Sequence, residues 1–278
     1  MNLRQSTGAL LSAAFLACAA TPAAAAEPPR PTDAPKSDWR FTVGAGVGLF
    51  PDYEGSDDFD PLPLPVVDIS YRDIVSIGSV GGPGLKLKLL KIQGPTPGDK
   101  LKVTLKFGYG GGRDQDDNDA LGGLGDLDGG ANVKLKAEYG IRGFTTFASL
   151  ARDLTGDREG MAASFGVGYG LAFNNNKTML SVGPSVTWAD DDYMQNSFGI
   201  TAAQATASTL GLARHTAEAG LKDVGFSIML RHGFTRRIGL TAQASVSRLL
   251  GDAADSPLVN GQGSATQFSF LTGIAYTW

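Results

Sequence analysis

The sequence predicts an all-β protein: a closed antiparallel up-and-down transmembrane β-barrel of about twelve strands, with long extracellular loops and short periplasmic turns. Three observations support this fold class. Apolar and polar side chains alternate with period two along many segments of roughly ten residues, the length that crosses a bilayer at a tilt. The connections between these segments are alternately short and long. The chain ends on a segment with one wholly apolar face.

The composition fits a barrel and excludes several other classes. The chain contains 38 glycines and has a mean hydropathy of -0.05, as expected where every second residue is polar or small. Its 28 acidic residues outnumber the 24 basic ones, which excludes nucleic acid as an expected partner. The single cysteine lies in the N-terminal segment that we expect to be removed. Disulfides, thiolate catalysis and zinc–thiolate sites are therefore excluded from the mature chain.

Residues 1–26 are predicted to form a signal peptide. Arg4 supplies the positive start, an apolar run too short to span a bilayer follows, and Ala24 to Ala26 form a small-residue cleavage site before Glu27. Removal of Arg4 lowers the basic count from 24 to 23 against 28 acidic residues, a net charge of -5. The mature protein is expected in the outer membrane of a Gram-negative cell.

Residues 27–38 are predicted to form an extended periplasmic tail. Four prolines lie there among charged residues and leave little that could be buried. A plain linker is the preferred interpretation, and a docking peptide for a periplasmic partner is the alternative. The remaining residues, 39–278, are predicted to form the barrel.

The first and last strands are predicted at residues 39–49 and 268–278. In the last strand, alternate residues form an apolar face that would leave an exposed stripe on a soluble protein but suits contact with lipid. We expect this strand to close against the first and to carry the information that the barrel-assembly machinery uses. Its outward residues are Phe268, Phe270, Ile274, Tyr276 and Trp278.

Ten further segments are predicted as strands. The clearest are 101–109, 161–173 and 178–188, where apolar residues alternate with small or polar ones. The weaker candidates are 64–72, 74–80, 85–92, 131–139, 143–153, 224–234 and 238–250. Merging the short segments between 64 and 92 would give ten strands instead of twelve.

The connections fall into two classes. The expected periplasmic turns are short and rich in turn-forming residues: 72–73, 93–100, 140–142, 174–176 and 235–237. The expected extracellular loops are longer: 51–63, 110–130, 189–223 and 251–263. In the longest of these, Thr201 and Gln204 have the spacing of a capping box, which predicts a short helix. We expect this loop to plug the barrel mouth, and binding of a partner is the alternative.

A specific motif follows the first strand: Pro51, Asp52, Tyr53, Glu54 and Gly55, then Ser56. Further matching segments occur in order at 61–63, 112–113, 121–126, 196–200 and 251–258. With these segments the sequence resembles the MipA/OmpV family of outer-membrane proteins, also called MltA-interacting proteins, over essentially the whole mature chain. The resemblance implies an outer-membrane barrel that acts as a scaffold, linking a murein-cleaving lytic transglycosylase to a murein synthase.

Three consecutive strands carry lysines with the inward phase: Lys86, Lys88, Lys102, Lys106, Lys134 and Lys136. Because consecutive strands are neighbours in an up-and-down barrel, these side chains should line one sector of the inner wall. Glu138, Asp68 and the acidic loop from Asp114 are the expected counter-charges. An internal salt network is the preferred interpretation, and an open path that favours anions is the alternative.

No catalytic, cofactor or metal site is predicted. The acidic loop 114–128 lacks the spacing of an EF-hand, because Asp119 stands where the turn glycine belongs. His215 and His232 occur without the G-x-S-x-G motif of a serine hydrolase. Three functions remain open: a structural or scaffolding barrel, which we prefer, a small-solute channel, and an outer-membrane hydrolase. Outer-membrane lipid and lipopolysaccharide are expected to surround the barrel.

Overall fold

A computed structural model describes residues 37–79, 82–94 and 99–278. The predicted signal peptide and nearly all of the predicted tail lie outside these residues, so both remain predictions. The described residues contain twelve strands: β1 Trp39–Pro51, β2 Phe59–Tyr71, β3 Val75–Gly78, β4 Gly84–Gln93, β5 Lys100–Gly110, β6 Gly130–Ile141, β7 Phe144–Asp153, β8 Gly160–Phe173, β9 Thr178–Ala189, β10 Gly220–Gly233, β11 Ile238–Leu249 and β12 Thr266–Thr277.

These strands form a closed barrel. Each strand pairs antiparallel with its neighbours in the chain, and β12 pairs with β1. The predicted fold class and the strand number of twelve are therefore confirmed, and the alternative of ten strands is wrong. Large apolar side chains point outward from the barrel and are exposed on the protein surface, as Phe165 at 53% and Ile77 at 57% illustrate. Such a surface is favourable in the membrane, where lipid covers it. Within the described residues, no helix has the length and apolar character needed to cross a bilayer.

The periplasmic turns follow from local backbone chemistry. Asn174, Asn175 and Asn176 all adopt positive φ angles, between 52° and 65°, a region that asparagine tolerates better than most residues. The turn between β6 and β7 places Gly143 at a φ of 87°. Tight turns of this kind join adjacent strands at one end of the barrel, so nearly all of the long connections lie at the other end.

β2 is longer than the sequence predicts. Residues 51–63 were expected to form a loop, but β2 starts at Phe59 and pairs with β1 along its whole length. On its other side only Asp68–Tyr71 pair with β3 among the described residues. The extracellular half of β2 is therefore an edge within the barrel wall.

Three prolines occupy that edge at alternate positions, Pro61, Pro63 and Pro65. The backbone of Val67 points towards β3, since its carbonyl accepts a hydrogen bond from the Ser79 amide at 2.7 Å. Residues two apart on a strand point the same way, so the proline nitrogens also face the side without a strand neighbour. Proline lacks the amide hydrogen that a pairing strand would need, and it is tolerated at such an edge.

Two register shifts alter the predicted alternation. In β4 a shift between Lys88 and Leu90 places Lys91 opposite Lys102. In β10, which begins at Gly220 rather than at residue 224, a shift beside Lys222 leaves both Lys222 and Asp223 buried. A bulge adds one residue and reverses the parity of those that follow, so strict alternation mispredicts β4 beyond Lys88. In β10 the bulge precedes the predicted segment, and the predicted outward phase of Val224, Phe226 and Ile228 is right.

Candidate functional site

Four extracellular loops fold over the mouth of the barrel and form what we call the cap, residues 52–58, 111–129, 190–219 and 250–265. It contains a short 3-10 helix, Asp119–Leu121, and four helices: α1 Asp191–Phe198, α2 Ala202–Ala207, α3 Gly251–Asp255 and α4 Pro257–Asn260. Thr201 and Gln204 cap α2 reciprocally, which confirms the predicted capping box. Sequence reasoning missed the other helices, which are short and have weak periodicity.

Two apolar clusters hold the cap together. The first draws residues from all four loops: Tyr53, Ala120, Leu121, Leu124, Ile200, Leu212 and Leu258. The second joins the cap to the ends of β9 and β11: Ala189, Met194, Phe198, Ala217, Leu249, Ala253 and Val259. Because the four loops share buried cores, the cap is a folded unit that covers the barrel mouth.

The motif residues after β1 lie at the centre of the cap. Tyr53 is 4% exposed, and its hydroxyl donates to the Leu258 carbonyl at 3.1 Å. Burial raises the pKa of Tyr53 to about 12. Gly55 has a φ of 110°, and a Cβ atom there would lie 2.5 Å from Val259 Cγ2. Glycine is therefore required at this position.

The flanking residues of the motif connect the cap to the barrel and to the acidic loop. Pro51 is the last residue of β1. Asp52 follows it and accepts a hydrogen bond from Asn118 Nδ2 at 3.0 Å. Asn118 also caps the 3-10 helix through the Ala120 amide. The first loop and the acidic loop are thus joined by a polar contact as well as by the apolar cluster.

A buried charge cluster ties the motif to the barrel wall. Glu54 accepts hydrogen bonds from Lys222 Nζ and from the Tyr193 hydroxyl, the latter at 3.0 Å. Lys222 also pairs with Asp223 at 3.1 Å and lies over the Tyr193 ring. Burial, together with the charge of Glu54, holds the pKa of Tyr193 well above its ordinary value. The bulge beside Lys222 is the structural cause of this cluster. It places the side chains of two consecutive charged residues, Lys222 and Asp223, on the buried side of the strand.

A cavity of about 120 Å³ lies within the barrel beneath the cap. Charged residues, among them Arg113, Arg158 and Lys134, contribute to its lining. Many of the other lining side chains carry hydroxyl groups: Ser149, Ser164, Ser185, Thr187, Ser197, Ser227, Ser245, Ser247 and Ser269. These hydroxyl groups can form hydrogen bonds with water or with a small polar solute.

The six predicted lysines lie on adjacent strands. Lys86, Lys106 and Lys134 are directly opposite one another across β4, β5 and β6. In the next inward row Lys88 and Lys136 flank Thr104. The structure thus brings these lysines together in one sector, as the alternation predicts.

Two acids pair with the lysines nearer the periplasm. Glu138 is 3% exposed and pairs with Lys102 at 2.5 Å and with Lys136 at 3.3 Å. Asp73 pairs with Lys88 and, at 2.9 Å, with Lys91. Burial acts to raise the pKa of Asp73, but the hydrogen bonds from Lys88 and Lys91 outweigh burial and hold this pKa well below its ordinary value.

Of the expected counter-charges, Glu138 is confirmed. Asp68 accepts a hydrogen bond from Ser70 at 2.7 Å, and the acidic loop belongs to the cap. Asp73 was missed because aspartate in a turn is readily explained by turn chemistry alone.

The closing strand places its five named residues on the lipid face. Phe268, Phe270, Ile274, Tyr276 and Trp278 are exposed to between 36% and 56%. The Trp278 ring stacks on Phe41 of β1 with centroids 5.7 Å apart, and its backbone exchanges two hydrogen bonds with Phe41. Contacts among Trp39, Phe41, Tyr71, Tyr276 and Trp278 form an aromatic belt at the periplasmic end.

The acidic loop and the histidines have structural contacts. Carboxylates of the loop accept hydrogen bonds from backbone amides: Asp126 accepts from Gln115, and Asp114 from Asp116, each at 2.9 Å. His215 Nε2 lies 2.8 Å from the Asp252 carbonyl oxygen. His232 Nδ1 lies 2.9 Å from the Thr178 hydroxyl. In the described residues neither histidine is hydrogen-bonded to a serine or to a carboxylate.

The family whose sequence profile matches the chain is described as MltA-interacting protein MipA, and the match spans residues 43–278. No individual curated protein matches the chain. In fold the chain is similar to the COG4313 outer membrane channel from Pseudomonas putida F1, at 12% identity, with 90% of this chain and 100% of that chain covered and a TM-score of 0.40. It is also similar to Salmonella typhi OmpF in complex with daunomycin, at 9% identity, 87% and 97% coverage and a TM-score of 0.38. At such identities the likeness concerns the fold alone.

Proposed function

The chain belongs to the MltA-interacting protein MipA family, and from this membership we propose that it is a non-enzymatic scaffold of the cell envelope. In this role it binds a murein lytic transglycosylase at the periplasmic face of the outer membrane and links it to a murein synthase. The family description supports the first partner, since it names an interaction with MltA.

The observation that carries the proposal is the basic character of the periplasmic turns. Exposed cations lie on these turns: Arg72, Arg142, Lys177, Arg236 and Arg237. Among the described residues at this end, the acids are already engaged: Asp73 binds lysines, Asp38 pairs with Arg72 at 3.0 Å, and Asp99 accepts a hydrogen bond from the Arg142 amide at 3.0 Å. Complementary charge steers association and selects partners, so this face suits an enzyme with an acidic surface.

Reversing three of these charges tests the proposal. We expect the variant with Arg142→Glu, Lys177→Glu and Arg236→Glu to capture the lytic transglycosylase about tenfold more weakly, because each exposed charge contributes a few tenths of a kcal/mol or more. Capture is measured by pull-down with the purified full-length barrel. All three side chains are exposed, so the barrel should still fold.

A matched control carries the same charge change at the extracellular end, with Arg152→Glu, Arg214→Glu and Arg248→Glu. This control should capture the enzyme as the wild type does. A further variant lacks residues 27–38. If the turns and not the tail bind the enzyme, this variant should capture it as the wild type does. Undiminished capture by the periplasmic variant would contradict the role of the turns.

A second candidate function is an anion-preferring channel, which the inward lysines and the hydroxyl-lined cavity favour. In that case steady openings are expected, and replacing Lys102, Lys106 and Lys134 with Gln should shift their selectivity towards cations. The folded cap over the mouth speaks against steady conduction, so the channel ranks second.

A further inference from the structure

Arg113 is a buried cation that forms no ion pair with any of the residues that the structure describes. It is 7% exposed, and its Nε atom is buried without a hydrogen-bond partner among the described residues. Its backbone is fixed, because its amide and carbonyl groups both bond to Leu127, at 2.9 and 2.8 Å. The side chain lines the cavity beneath the cap. Burying a guanidinium group without a counter-ion costs free energy of folding, so the presence of an arginine at this position needs a physical reason.

Neighbouring acids do not neutralise Arg113. Three acids also line the cavity: Glu54 and Asp223 are bound by Lys222, and Asp52 accepts a hydrogen bond from Asn118 at 3.0 Å. In its own loop, Asp114, Asp117 and Asp126 accept hydrogen bonds from backbone amides. The strongest charge acting on Arg113 is that of another cation, Arg158. Burial and this like charge lower the pKa of Arg113 to about 10, so it remains protonated at neutral pH.

Other groups that donate hydrogen bonds converge on the same cavity. Arg158 and Lys134 line it, and so do serine hydroxyls on several strands. The Ser227 hydroxyl is itself buried without a hydrogen-bond partner in the described part of the chain. A guanidinium with adjacent hydroxyls and cations is the donor set that binds phosphoryl and other tetrahedral oxyanions, often through two parallel hydrogen bonds.

We propose that Arg113, with Arg158 beside it, binds a phosphoryl-type oxyanion in the cavity beneath the cap. This site is independent of the scaffold proposal, since it lies inside the barrel and uses none of the periplasmic turns. A free phosphate and the phosphate of a lipid A headgroup share the required chemistry. Binding provides the missing counter-charge and stabilises the cap, whose acidic loop carries Arg113.

Calorimetric titration of the purified full-length barrel with inorganic phosphate tests the site, with chloride at equal ionic strength as the reference. Wild type should bind phosphate saturably, and Arg113→Gln should bind it at least tenfold more weakly. The matched control is Arg152→Gln, which removes an exposed arginine at the same end of the barrel and should leave binding unchanged. A second arm replaces inorganic phosphate with vesicles containing lipid A.

Thermal unfolding shows whether a loss of phosphate binding in the variant results from misfolding. Without phosphate, Arg113→Gln should unfold at the same temperature as wild type or a higher one, because it removes an unpaired buried charge. Added phosphate should raise the unfolding temperature of wild type and not that of the variant. The proposal is overturned if neither phosphate nor lipid A vesicles bind above the chloride reference, or if Arg113→Gln binds both as wild type does.

Discussion

Truncating the chain after Ala275 should abolish the folded barrel. The truncation removes Tyr276 and Trp278, and with them the pairing of β12 to both β1 and β11 at the periplasmic end. It also removes the two backbone hydrogen bonds between Trp278 and Phe41. An unclosed sheet exposes unpaired backbone groups to lipid, each of which costs several kcal/mol. Heat-modifiable migration of outer-membrane fractions on gels measures the folded barrel.

Two single substitutions refine this experiment. Trp278→Ser should reduce the folded barrel, because the Trp278 ring stacks on β1. Trp39→Ser, which removes an equally exposed tryptophan from the same aromatic belt, should have a smaller effect because β12 remains intact. Normal barrel from the truncated chain would contradict the assignment of the closing strand.

Replacing Lys222 with Met should destabilise the cap by about 3–5 kcal/mol, the usual cost of removing one partner from a buried ion pair. The substitution leaves Glu54 and Asp223 buried without their cation. Limited proteolysis of the extracellular loops and thermal unfolding measure the loss. Lys177→Met, at an exposed periplasmic turn, is the matched control and should have little effect.

A double variant distinguishes charge from packing at this site. Adding Glu54→Gln to Lys222→Met removes one of the two unpaired carboxylates, so it should restore part of the lost stability. If Lys222→Met alone leaves proteolysis and thermal unfolding unchanged, the cluster does not anchor the cap.

The barrel wall could be predicted from the sequence because its physics is local. A lipid-facing strand alternates with period two, and the turns between strands carry their own signals, such as the run from Asn174 to Asn176. Prediction failed where a strand departs from that rule. Pro61 and Pro63 were assigned to a loop, although together with Pro65 they mark an edge of β2. The bulges beside Lys88 and Lys222 leave no mark in composition.

The cap could be predicted only in part, because its contacts are long-range. Tyr53 was singled out through a family resemblance, yet its partner Leu258 is distant in the chain and nothing local connects them. Arg113 offered a weak local signal, a single cation beginning a strongly acidic loop. That signal does not reveal the missing ion pair, which depends on the loop geometry that directs the carboxylates of Asp114 and Asp126 to backbone amides.

Planar-bilayer recording of the purified barrel tests most directly the central claim that a folded cap covers the mouth. Wild type should show no steady openings, and Lys222→Met, whose cap is loosened, should show intermittent ones. Steady anion-selective openings of the wild type, shifted towards cations when Lys102, Lys106 and Lys134 are replaced with Gln, would contradict the claim and would favour a channel.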